Sequence, residues 1–159
     1  MKIRSSALGF TLMELILVVV LLSILSLFAA SRFMGSSSFS AYTLQERVIS
    51  VIRQVQVNRM QSNVASPDNN FRLQVSSSCV GSVAACELTG SAQDARSDVV
   101  IDKSAKFSVI SGAANTINFN LLGNPVSGAV NILIEDKHGR SRCQVDINSQ
   151  GYVSKGTCS

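Results

Sequence analysis

The residues of this chain that could do chemistry are few: four cysteines, one histidine and a carboxylate set alone among apolar residues. Cys79, Cys86, Cys143 and Cys158 could hold a metal ion or oxidise in pairs. Structural metal sites are built from closely spaced thiolates and imidazoles, and here no Cys-x-x-Cys occurs and His138 is the single histidine. Pairing is the better expectation for an even set in an oxidising compartment, and neither a metal nor a cofactor is called for. A Ser-His-Asp or Cys-His arrangement would also need His138, which stands in Lys137-His138-Gly139-Arg140, a stretch that reads as a solvated turn. No phosphate loop or dinucleotide fingerprint occurs. Asp98 and Asp102 flank a short apolar run and read as surface residues rather than a catalytic pair. Catalysis is not expected.

Glu14 is the only charge between Arg4 and Arg32. It interrupts Gly9-Phe10-Thr11-Leu12-Met13-Glu14-Leu15-Ile16-Leu17-Val18, which continues apolar almost to Phe33. A charge near the middle of a bilayer-spanning helix costs about 2.5 to 3.5 kcal/mol, so such a residue has a partner or a task. Lys2 and Arg4 supply the basic start of a secretory signal, but a signal peptide places its small-residue cleavage site after the apolar stretch. Here the one good junction, Gly9-Phe10, comes before it, and cleavage there leaves the apolar segment on the mature chain. The 24 residues from Phe10 to Phe33 would make a helix of about 36 Å against about 30 Å of hydrocarbon, and are expected to span a membrane.

These residues resemble the leader and first helix of type IV pilins and of the pseudopilins of type II secretion. In that family a prepilin peptidase cuts after the glycine and methylates the new N-terminal residue, and a glutamate five residues into the mature chain guides assembly. The resemblance implies that Gly9 ends a leader of residues 1–9, that Phe10 is the N-methylated first residue, and that Glu14 is the assembly carboxylate, matched by the amine of Phe10. Many pilins carry a proline where this chain has Ser31, so a proline kink is not expected. The implied partners are other major and minor pilins, the prepilin peptidase and the inner-membrane assembly platform. The implied location is the inner membrane, as a single-pass protein with a periplasmic domain, and then a pilus or pseudopilus.

Such a segment needs a domain to carry. Loss of the leader would leave 159 − 9 = 150 residues, the size of one domain, and would lower the formal charge from +4 to 14 − 2 − 10 = +2. That weak basicity does not by itself point to nucleic acid. After the apolar segment, 10–33, Gly35-Ser36-Ser37-Ser38 is poor helix. Leu44, Val48, Ile52 and Val55, with Val51 and Met60 less regularly, then recur at helical steps, and Gln45, Arg47, Arg53, Gln54, Asn58 and Arg59 fill the polar intervals. A linker and amphipathic helix are therefore expected within 34–66, ended by Ser66-Pro67-Asp68. From 67 to 159, strands are expected at 71–75, 99–102, 106–110, 116–120, 130–135, 142–147 and 152–154. The expected fold is α+β: a long N-terminal helix, one half in the membrane and the other amphipathic, packed on an antiparallel β-sheet domain.

The C-terminal run of Ile117-Asn118-Phe119-Asn120, Gly123, Gly128 to Ile134, Gly139 to Val145 and Gly151-Tyr152-Val153 resembles the FimT and GspH branch of minor pilins. Four cysteines allow three connectivities. The expected one is Cys79 with Cys86, closing a short loop, and Cys143 with Cys158, because a hairpin turning near Ser149-Gln150-Gly151 sets position 143 opposite 157 or 158. Some members of that branch bind DNA through C-terminal arginines, and Lys137, Arg140, Arg142 and Lys155 are the corresponding charges here. The expected function is a minor pilin, with a GspH-type pseudopilin or a DNA-binding minor pilin as alternatives.

Overall fold

The computed structural model describes residues 11–33, 40–112 and 114–159. The first two elements among the described residues are helices of 22 residues each, α1 at Leu12–Phe33 and α2 at Ser40–Gln61. They fall in different compact units, one running to Ser36 and the other from Ser37 to the end. This corrects the expected fold. In place of a long helix on one sheet, α2 belongs to a unit with two sheets, and among the described residues no helix is long and apolar enough to cross a membrane. The reason lies in where the polar groups fall. Between Glu14, in the first turn of α1, and Ser31 there are 16 residues, Leu15 to Ala30. They make about 24 Å of helix against about 30 Å of hydrocarbon. Within that run Ser23 and Ser26 each donate the hydroxyl to the carbonyl four residues back, at 2.8 Å to Val19 and 2.7 Å to Leu22.

The second unit continues with β1 (Arg72–Val75), β2 (Cys79–Ser82), the single turns α3 (Val83–Cys86) and α4 (Ser91–Asp94), then β3 (Val99–Ile101), β4 (Ala105–Ser111), β5 (Thr116–Asn118), β6 (Val130–Asp136), β7 (Arg142–Ile147) and β8 (Val153–Cys158). These strands form two antiparallel sheets, ordered β3-β2-β1-β5 and β4-β6-β7-β8. Alternation explains the second sheet: along β6, Val130, Ile132, Ile134 and Asp136 turn inward while Asn131, Leu133 and Glu135 turn out. Ile134 stands opposite Phe107 on one side and Cys143 on the other, and Ile132 opposite Val109 and Val145.

The first sheet has no such signature at its centre. Every residue of β2 is buried, so Cys79-Val80-Gly81-Ser82 shows no alternation, and no strand was expected there. Gly81 is required at this position because a Cβ would lie 2.6 Å from the Asp98 carbonyl oxygen and 2.7 Å from the Val99 Cα on β3. Both contacts are backbone and cannot move aside.

The face of α2 that meets the sheets is formed by Ala41, Leu44, Val48, Ile52 and Val55, none more than 2 % exposed. A buried aliphatic side chain of this size stabilises by about 1.5 to 3 kcal/mol, which holds α2 in place. Polar residues share this buried side. Gln45 Nε2 donates to the Gln144 and Gly156 carbonyls, and Gln56 Nε2 to those of Gly123 and Gly151. Arg53, an exposed residue, donates from Nη2 to Val153 O. Of these carbonyls, those of Val153 and Gly156 lie on β8, a sheet edge that would otherwise stand unpaired. Met60, expected on the apolar stripe, is half exposed, whereas Arg59, expected in the polar intervals, is 3 % exposed.

Candidate functional site

The junction Gly9-Phe10 lies outside the described residues. The next residues of that motif form a helix start. Thr11 Oγ1 accepts the Glu14 N–H at 3.3 Å, and the Thr11 carbonyl accepts the N–H groups of Glu14 and Leu15 at 3.1 and 3.2 Å. Thr11 is therefore the N-cap of α1 and Glu14 its third residue, the Thr-x-x-Glu spacing of a capping box. Glu14 is exposed and sits in the first turn, where a carboxylate is favoured by the partial positive charge of the helix start. The spacing Thr11-Leu12-Met13-Glu14 is the signal in the sequence that marks this cap. Along the same helix the apolar side chains from Leu12 to Leu25 are 44 to 77 % exposed.

The four basic residues at the C-terminal end do not form one surface. Lys137 and Arg140 are exposed in the turn joining β6 and β7. Arg142 Nε meets Glu135 Oε1 at 3.0 Å on the outer face of the sheet. Lys155 stands opposite Val145, an inward residue of β7, and its ammonium pairs with the Glu46 carboxylate of α2. Arg142 and Lys155 thus lie on opposite faces, each matched by an acid. Beside the turn, a cavity of about 460 Å³ is lined by Lys103, Lys106 and Lys137 but equally by Asp102, Glu135 and Asp136. It offers a polyanion no net positive charge. His138 is exposed in the same turn.

Both expected cysteine pairs are bridged, Cys79 to Cys86 and Cys143 to Cys158. The first ties β2 to the end of α3. The second crosses β7 and β8 where their residues stand opposite each other, so the C-terminus is held to the sheet. No group of acidic, cysteine or histidine residues among those described could hold a metal.

Asp98 differs from its expected place on the surface. It is 5 % exposed and is gripped in a fork by Arg96, with Nε to Oδ1 at 2.8 Å and Nη2 to Oδ2 at 2.7 Å. Burial opposes its ionisation, but hydrogen bonds from Arg96 and Ser82 and the Arg96 charge outweigh burial and hold the carboxyl below the usual carboxylate range. Arg96 Nη2 also reaches Ser82 Oγ at 3.2 Å and Asn70 Oδ1 at 3.3 Å, so one guanidinium joins β2, the residue before β3 and the loop before β1. These roles are structural.

No family model, curated protein or solved structure matches the chain.

Proposed function

We propose that this chain is a minor type IV pilin or pseudopilin, cut after Gly9, methylated at Phe10 and built as a structural or priming subunit into a fibre of other pilins. The observation that carries this reading is the order of the first fourteen residues: basic Lys2 and Arg4, then Gly9-Phe10 before rather than after the apolar run, then Thr11 and Glu14. Two features of the molecule support it. The apolar side chains of α1 are left open for other subunits, and two disulfides suit an exported domain in an oxidising compartment. The DNA-binding alternative draws less support, because Arg142 and Lys155 are each occupied by a carboxylate.

Intact-mass analysis of protein from cells with and without the prepilin peptidase tests the proposal. The expected mature chain begins at N-methylated Phe10 only where the peptidase is present. A chain that still begins at Met1, or one cut after Ala29 or Ala30, would overturn it.

A further inference from the structure

A second cavity of about 470 Å³ opens where α2 ends and β1 and β5 run side by side. Its lining includes Arg59 and Arg72 and no acidic residue. Arg59 is 3 % exposed, and all its described hydrogen bonds run to neutral oxygens. They are Nε to Phe119 O at 3.1 Å, Nη1 to Ser62 Oγ at 2.9 Å and Val64 O at 2.8 Å, and Nη2 to Ala65 O at 3.2 Å. Its donors are satisfied, but no described carboxylate balances its charge. Neutral dipoles hold such a cation in place while its field extends into the adjoining space, and apolar walls focus that field.

Arg72 supplies the reachable half of the site. It lies on the outward face of β1, and its Nε donates to Asn118 Oδ1 at 3.0 Å on β5. This bond orients the guanidinium, and among the described residues its two Nη groups have no hydrogen-bond partner. A planar fork with free donors fits the two oxygens of one carboxylate. Beside it the wall turns apolar at Pro67 and at Val126, whose side chain is 71 % exposed.

We propose that this cavity docks a single acidic side chain on a peptide segment of a partner protein, with the carboxylate on Arg72, the charge of Arg59 behind it, and an apolar neighbour of that residue on Val126. The site fits one carboxylate better than a nucleic-acid strand. A strand is held by a row of exposed cations and by bases stacked on exposed aromatic rings, whereas here one cation is buried and Phe119 is 1 % exposed. The proposal does not depend on how the N-terminus is processed.

The test uses the full chain labelled with ¹⁵N at arginine and a blocked hexapeptide carrying one Glu next to Val, with its Glu→Gln counterpart as control. The Glu peptide should shift the Nε–H resonances of Arg72 and Arg59. Arg72→Gln should weaken binding about tenfold, the loss of one charge-assisted contact, without moving the thermal midpoint. Val126→Asp, which places a like charge at an open rim, should weaken it as well. Equal binding of the Glu and Gln peptides, or unchanged affinity in both variants, would overturn the proposal. So would a DNA duplex that shifts these resonances when the Glu peptide does not.

Discussion

α1 and α2 have the same length and opposite exposure. Both are 22 residues long. The buried apolar side chains of α2 are at most 5 % exposed, while the described ones of α1 are 44 to 77 % exposed. An isolated helix of this length is marginal in water, and most helical stability in proteins comes from tertiary packing. α2 has that packing within its own unit. The chain therefore keeps its folding information and its proposed assembly information in different helices, and damage to one should be separable from damage to the other.

Matched truncations would break this separation most sharply. Ile52→Ala removes a fully buried side chain from α2 and should cost about 2 to 5 kcal/mol, the range for such cavities. Leu17→Ala on α1, where the side chain is 55 % exposed, should stay within about 0.5 kcal/mol. Denaturant midpoints of the two variants give the answer. Similar losses in both would mean that α1 is as much a part of the folded core as α2.

Next come the bridges. In the chain-entropy model the Cys143–Cys158 closure, with a sequence separation of 15, is worth about 3 kcal/mol, and the Cys79–Cys86 closure, with a separation of 7, about 2.4 kcal/mol. Paired replacement by serine should follow that order in the unfolding midpoint. A larger loss at Cys79 and Cys86 would place the weak point in the first sheet, whose strands β1, β2, β3 and β5 have only three or four residues each.

The same contrast governs what was legible in the sequence. β6 and β7 alternate inward and outward residues over six or seven positions, and their positions could be read from that pattern. β2 could not, because a strand buried on both faces has no alternation and its glycine answers to a backbone across the sheet. The helical stripe of α2 was readable from its aliphatic residues. The burial of Gln45, Gln56 and Arg59 was not, since it depends on carbonyls at Gln144, Gly123, Gly151 and Phe119, all far along the chain. The burial of Asp98 was hidden for the same reason, since its carboxylate is met by Arg96 and by Ser82 of β2. At the candidate site the apolar context of Glu14 was visible, but of the 24 residues from Phe10 to Phe33 only 16 lie between Glu14 and Ser31.

Asp98→Asn offers a smaller effect with a pH signature. It leaves the Arg96 guanidinium without its charged partner and should cost about 2 kcal/mol, since hydrogen bonds to charged groups are worth about 1.5 to 3 kcal/mol. The folded-state pKa of Asp98 is depressed. Its contribution is therefore complete above the unfolded value of about 3.9 and is lost as pH falls through the lower folded value. Stability curves of wild type and variant should run parallel near neutrality and converge in acid. A gap that persists below that range would assign the loss to packing rather than to the ion pair.

The smallest effect on stability falls at the start of α1, where two readings of Glu14 can be pulled apart. As a capping residue, Glu14 can be replaced by glutamine, because a capping box accepts either side chain at that place. As an assembly carboxylate it cannot, because the amide carries no charge to meet the Phe10 amine. Thr11→Ala removes the cap, costing about 0.5 to 2 kcal/mol of helix stability, yet leaves the carboxylate in place. Under the proposed function, Glu14→Gln should preserve helix content and the Gly9-Phe10 cut but fail to co-purify with partner pilins, whereas Thr11→Ala should weaken the helix start and still be incorporated. If Glu14→Gln assembles like wild type while Thr11→Ala does not, Glu14 serves the helix alone, and α1 differs from α2 only in what covers it.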